Sequence, residues 1–176
     1  GSFVTTLLDI PKSEIRATPI PTPANLPGAV VKPEWIDHNG HMNLAYYLLA
    51  FDQASDVLTD YLGLTPEYKA RTNSATFVGD IHITYRQEVL EGDPLRFTAQ
   101  VIQCDAKRVH FWLEMFHATD GYLAATAEFI SLHIDMSVRK VAPMPDDLLD
   151  WIRQVRDAHA ALPLPKDLGR VIKVNP

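Results

Sequence analysis

The sequence predicts an α+β fold in which one long central helix is wrapped by a curved antiparallel sheet. Three observations carry this expectation. Residues 44–62 repeat apolar side chains at the period of a helix, and from Ala75 to Ile134 the apolar period changes to two. Of 13 prolines, only Pro66 and Pro94 fall between residues 33 and 143. Proline fixes φ and removes a backbone donor, so it is kept out of ladders and helix interiors. The clustering therefore marks a folded middle of about 110 residues with irregular ends, enough for one core and too little for two.

Pro11, Pro19, Pro21, Pro23 and Pro27 make residues 1–28 a proline-rich, extended N-terminal arm. Ala29–Lys32 reads as a short strand ended by Pro33. In the helix, Leu44, Tyr47, Leu48, Phe51, Ala54, Leu58, Tyr61 and Leu62 share one face. Asn43 can cap its start, and Gly63 stands just past its end. Asp52, Asp56 and Asp60 read as a solvated acidic face. Four extended runs follow, at 75–88, 95–102, 109–116 and 122–134. Turn-like links (Glu91-Gly92-Asp93-Pro94, Asp105-Ala106-Lys107 and Asp120-Gly121) predict an antiparallel meander. A last helix is expected at 146–159, with Leu148, Trp151, Ile152 and Val155 on its apolar face and Asp146 and Asp147 in its first turn. The organisation is thus an arm at 1–28, a body at 29–140, and a helix and tail at 141–176. A helix apolar along its length must be covered, and a sheet curved around it is the simple solution. The strand edges left over favour pairing with a second copy.

Composition removes several classes of function. The net charge is −6, with Lys and Arg scattered, so nucleic acid is not an expected partner. No apolar run approaches the roughly 20 residues of a membrane span. No basic end followed by an apolar stretch opens the chain, so a cytoplasmic location is expected. The single cysteine, Cys104, excludes an intramolecular disulfide and a Cys-rich zinc site. Nucleophile-elbow, P-loop, dinucleotide and zincin motifs are absent. His38 and His41 stand three apart with no third ligand pattern after them, so no metal is expected. Cys104, His110, His117, His133 and His159 read as structural.

Chemistry concentrates in Pro33-Glu34-Trp35-Ile36-Asp37-His38-Asn39-Gly40-His41-Met42-Asn43, directly before the long helix. The first N–H groups of a helix lack intrahelical partners and can hold a developing oxyanion. A carboxylate beside them can act as general base or nucleophile. The same residues also suit an elaborate helix cap, with Asp37 and Asn43 satisfying orphan donors. The residues alone leave both readings open.

Asp37-His38-Asn39-Gly40-His41-Met42-Asn43, followed by Leu44-Ala45-Tyr46-Tyr47, resembles the D-x-x-G-H-[VM]-N motif of hotdog-fold acyl-CoA thioesterases, the 4-hydroxybenzoyl-CoA thioesterase family. Ile83-Thr84-Tyr85-Arg86 and Gly92-Asp93-Pro94-Leu95 look like the same family's strand and turn, and the resemblance covers roughly residues 29–135. It implies a hotdog fold, paired into dimers whose interface holds the active sites. It implies that Asp37 is the catalytic acid, that the backbone N–H of Leu44 is the oxyanion donor, and that His41 and Asn43 are the motif histidine and asparagine. Many members carry a second acid two residues before the catalytic one; here that residue is Trp35. Pro33–Met42 and Asp80-x-His82-Ile83 look most like the betainyl-CoA thioesterase branch, some of whose members are fused to carnitine dehydrogenases. A betainyl group is a short quaternary ammonium acyl chain, which aromatic faces suit. Trp35, Tyr46, Tyr47, Phe77, Tyr85 and Trp112 are the aromatic candidates.

The expectation is therefore a cytoplasmic acyl-CoA thioesterase, working as a homodimer or tetramer and bearing on carnitine breakdown. Asp37, Asn43 and the Leu44 N–H would carry catalysis. His38, Asn39, Gly40, His41, Tyr47, Phe77 and His82 would meet the acyl group. Arg86, Lys107 and Arg108 would meet the CoA phosphates. CoA is part of the substrate, and no further cofactor is implied. The alternatives are a hotdog enoyl-CoA hydratase, which also uses an Asp and a His near a helix start, and a non-catalytic acyl-CoA binding module.

Overall fold

The computed structural model describes residues 5–174. Residues 1–4 of the proline-rich arm and 175–176 of the tail lie outside the described part. The elements in order are β1 (Ala24–Val30), α1 (Leu44–Tyr61), α2 (Pro66–Thr72), β2 (Ser74–Tyr85), β3 (Pro94–Cys104), β4 (Arg108–His117), β5 (Leu123–Asp135), β6 (Lys140–Val141) and α3 (Asp146–His159). The strands form one antiparallel sheet in the order β1-β3-β4-β5-β2, with the short β6 on β5. The sheet curls around α1, as the apolar face of that helix requires.

Tyr47, Ala50, Phe51, Ala54, Leu58 and Tyr61 are buried along α1 at helical spacing. Phe51 meets Phe97 of β3 edge-on, with ring centroids 5.8 Å apart. Burying side chains of this size stabilises by about 1.5–3 kcal/mol each. Asn43 caps the start of α1 through its side chain, which accepts the Ala45 N–H at 2.9 Å. At the other end Gly63 takes φ 99°, and Trp151 of α3 donates its indole N–H to the Tyr61 carbonyl at 3.0 Å. That bond satisfies one of the carbonyls a helix end leaves open.

Three expectations change. The first strand begins at Ala24 rather than Ala29, and Pro27 lies inside it. Proline is tolerated there because β1 is an edge strand, with a bulge between Leu26 and Ala29. Gly28 is required for a different reason: a Cβ would sit 2.5 Å from the Leu95 carbonyl oxygen. Second, the four long strands are not one meander. β3, β4 and β5 are consecutive neighbours, but β2 lies at the far edge on β5. The turn before β3 serves β1 instead: the Val31 N–H donates to Asp93 O at 2.9 Å, and the Gly92 N–H to Val31 O at 2.8 Å. Third, the N-terminal arm is not extended throughout, though the proline-rich ends are irregular and packed on the body. Residues Leu7–Asp9 and Lys12–Ala17 make short helical turns, and Pro21 O accepts a hydrogen bond from His159 at 2.9 Å. The tail crosses the outer face of the sheet, where the Gly169 N–H donates to Glu128 at 2.7 Å and Asp167 pairs with Arg86. Among the described residues, no helix is long and apolar enough to cross a membrane.

Candidate active site

The loop between β1 and α1 is a small structure of its own. Ile36 and Met42 pair as an antiparallel bridge, and Gly40 at φ 80° turns the chain between them. The Asp37 N–H donates to His41 O and the Gly40 N–H to Asp37 O, both at 3.0 Å. Two further bonds fix the loop to the body: Asn43 N–H to Trp35 O at 2.9 Å and Met42 N–H to Val89 O at 3.0 Å. Trp35, Met42 and Val89 are all buried. Trp35 stacks on Tyr46 at 5.8 Å, so the position where many relatives carry a second acid is here an apolar anchor.

Asp37 is half-buried, and its Oδ1 accepts the Asn39 N–H at 2.9 Å. This is an Asx turn inside the loop, not a helix cap. The cap belongs to Asn43, whose Oδ1 is thereby committed. No protein group among the described residues takes the second carboxylate oxygen of Asp37, and none takes the N–H of Leu44, the first residue of α1. A preorganised donor at a helix start, where the macrodipole adds partial positive charge, suits a tetrahedral oxyanion.

His38, Asn39 and Gly40 lie exposed at the loop tip. His41 is half-buried, its Nε2 2.8 Å from Glu88 Oε2. Tyr47 is buried and meets Tyr85 edge-on at 5.1 Å. Burial pushes both phenols above their ordinary range. Tyr85 donates its hydroxyl to the Leu44 carbonyl at 3.1 Å. Tyr122 in turn donates to the Glu88 carbonyl at 2.8 Å. A cavity of about 260 Å³ opens here, lined by His41, Leu44, Tyr47, Tyr85, Arg86 and Glu88 among others. Arg86 is therefore beside the loop, with its guanidinium paired to Asp167.

Other expected site residues are not brought together within one chain. Phe77 stands about 26 Å along β2 from Tyr85 by strand rise. Lys107 and Arg108 lie at that same distant end, where Arg108 pairs with Leu132 across β4 and β5, and Leu132 with Phe77 across β5 and β2. Arg108 is committed to Asp105 at 2.6 Å, which holds the Asp105 carboxyl below the usual range. His82 stands opposite Glu128 at mid-strand. A larger groove of about 840 Å³ runs along the free edge of β2, from Leu44 and Leu48 past Ile81 and His82 to Arg170 and Ile172. Sequence reasoning missed Glu88 and Asp167. Neither belongs to a motif, and only the folded chain places them beside the loop. No three His, Cys, Asp or Glu side chains among the described residues converge on one point that could hold a metal ion.

A sheet curled around a helix whose first N–H stays open, with a carboxylate on the loop that leads into it, is the hotdog architecture of thioester chemistry. The chain belongs to the Thioesterase-like superfamily, whose family model matches residues 31–152. It is 33% identical over 146 residues to a betainyl-CoA thioesterase of Pseudomonas aeruginosa, covering 83% of this chain and 92% of that protein. It is 32% identical over 148 residues to an L-carnitine dehydrogenase/betainyl-CoA thioesterase of Rhizobium meliloti, covering 84% of this chain but only 30% of that longer protein. Among solved structures, a Staphylococcus aureus protein in complex with CoA superposes with a TM-score of 0.80 at 25% identity, covering 89% of this chain and 99% of that one.

Proposed function

We propose that this chain hydrolyses an acyl-CoA thioester to the free acid and CoA, that betainyl-CoA is its substrate, and that it works as a cytoplasmic homodimer. One observation carries the chemistry: the N–H of Leu44, without a partner among the described residues, stands at the start of α1, after the loop that holds a half-buried Asp37 with one carboxylate oxygen likewise open among them. The thioester oxygen would accept from that N–H, and negative charge developing on it would be stabilised by the helix start. Asp37 then adds to the carbonyl as nucleophile, or takes a proton from the water that adds. In both routes the carbon–sulfur bond breaks, CoA leaves as thiolate, and water supplies the proton and hydroxyl of the products. A thiolate leaves readily, so the site needs no strong acid. In the nucleophilic route Asp37 and the acyl group form a mixed anhydride, which water then cleaves at either carbonyl. Single turnover in ¹⁸O-labelled water that leaves label in Asp37 marks this route with attack at the Asp37 carbonyl, since direct water addition labels only the free acid.

The dimer reading rests on the free edge of β2, where Phe77 is 53% and Val78 49% exposed and Leu44 and Leu48 of α1 lie alongside. Antiparallel pairing of two β2 strands about their middle would bring the Phe77 end of one copy to the Tyr85 end of the other. Expected site residues that stand far apart in one chain would then meet.

The test is CoA release by a panel of betainyl, short-chain, aromatic and long-chain thioesters, scored with a thiol reagent. Hydration of an enoyl thioester, or binding alone, frees no thiol. Asp37→Asn, which can keep the Asx turn, should lower kcat by about 10²–10⁴-fold. Activity within about threefold of the parent chain would remove Asp37 from the chemistry.

A further inference from the structure

The acyl group of betainyl-CoA is short. Its ammonium nitrogen is separated from the thioester carbonyl carbon by one methylene, a span of about 2.5 Å. With the thioester oxygen on the Leu44 N–H, the cation would lie no more than about 6.5 Å from that nitrogen. Whatever recognises the charge must therefore sit beside the first turn of α1.

The cavity at that turn has the required chemistry. It is lined by Leu44 itself, by Tyr47 and Tyr85, and by Glu88, Arg86 and His41 among others. The two rings are fixed against each other at 5.1 Å and 81°, and Tyr85 is tied to the Leu44 carbonyl. A quaternary ammonium has no N–H to donate, so it is held by charge and by aromatic faces rather than by hydrogen bonds. Arg86, the cation among the lining residues, is already matched. Arg86 is paired with Asp167, and His41 Nε2 sits 2.8 Å from one oxygen of Glu88. The second oxygen of Glu88 has no protein partner among the described residues.

We propose that Glu88, with the Tyr47–Tyr85 pair, is the specificity-determining residue that selects a cationic acyl group, and that His41 holds its carboxylate toward the cavity. This rests on the betainyl-CoA reading above. The experiment compares betainyl-CoA with its neutral carbon isostere, 3,3-dimethylbutyryl-CoA, which has the same shape without the charge. The readout is the ratio of the two kcat/KM values. The parent chain should favour betainyl-CoA. Glu88→Gln should lower the ratio about tenfold, and Glu88→Asp, which keeps the charge, should retain most of it. A ratio unchanged in Glu88→Gln, or a parallel loss on both thioesters, overturns the role of Glu88 and leaves the substrate reading standing. A parent chain that does not favour betainyl-CoA over the isostere overturns the substrate reading and the role of Glu88 with it.

Discussion

The hydroxyl of Tyr85 donates to the carbonyl of Leu44 at 3.1 Å, joining the last residue of the edge strand β2 to the first residue of α1. Leu44 is the residue whose own N–H is left open. The bond therefore orients the proposed oxyanion donor from a different element than the loop that precedes it. Tyr85→Phe should lower kcat several-fold while leaving the melting temperature within about 3 °C, since one half-exposed hydrogen bond contributes about 1 kcal/mol. Steady-state kinetics beside a thermal melt checks this; unchanged kcat would reduce the contact to packing. Burial holds the Tyr85 phenol above its ordinary range, so it remains a donor throughout neutral pH.

Asn43 orients the same N–H from the other side. Its side chain caps α1 and its N–H anchors on buried Trp35. Asn43→Ala should cost about 1 kcal/mol, a fall of about 2–4 °C in melting temperature for a chain of this size. Asn43→Ser, which restores a capping oxygen, should recover most of both stability and kcat. If Asn43→Ser melts like the parent chain yet stays inactive, the asparagine does more than cap.

His159 gives a pH prediction. It is fully buried, accepts the Val101 N–H at 2.9 Å and donates to Pro21 O. Burial lowers its pKa from the ordinary 6.5. Below pH 6.5 the unfolded chain therefore binds a proton that the folded chain resists. The stability contributed by neutral His159 is fully present above pH 6.5 and declines as pH falls toward the lowered folded value, by at most about 1.4 kcal/mol per pH unit. Urea titrations from pH 7.5 to 5 should show this slope, and His159→Gln should flatten it at the expense of overall stability.

The free edge of β2 supplies the last prediction. Val78 is 49% exposed there, beside Phe77. Val78→Lys places a charge on the seam of the proposed dimer. It should shift the mass measured by light scattering from dimer to monomer and remove activity in parallel. A monomer of full activity would show that one chain holds a complete site.

Much of the site was legible because its residues are contiguous. Asp37 to Leu44 is one stretch, and a loop that precedes a helix brings its side chains to the helix start by connectivity alone. What the sequence left open there was whether Asp37 is chemistry or cap. The structure assigns the cap, because one helix start accepts one capping side chain and Asn43 fills that position. Trp35 became interpretable only as a buried ring stacked on Tyr46. Glu88 and Asp167 were invisible, since their meaning comes from His41 and Arg86, far away in sequence.

By itself the sequence determined the long elements: a helix over 44–62, four long strands, the final helix and the polar loop before the first helix; it missed the short α2 and the true start of β1. The long elements depend on local periodicity, capping and turn residues, which act over a few positions. Only the tertiary structure decided which strands are neighbours. β2 and β3 are consecutive in the chain with a turn-like link, yet β3 joins β1 and β2 joins β5 at the opposite edge. Pairing of distant strands is set by which apolar faces close around α1, a property of the whole sheet. The proline-rich ends pack onto the closed body, where Pro21 and Gly169 find partners in His159 and Glu128 that no local pattern announces.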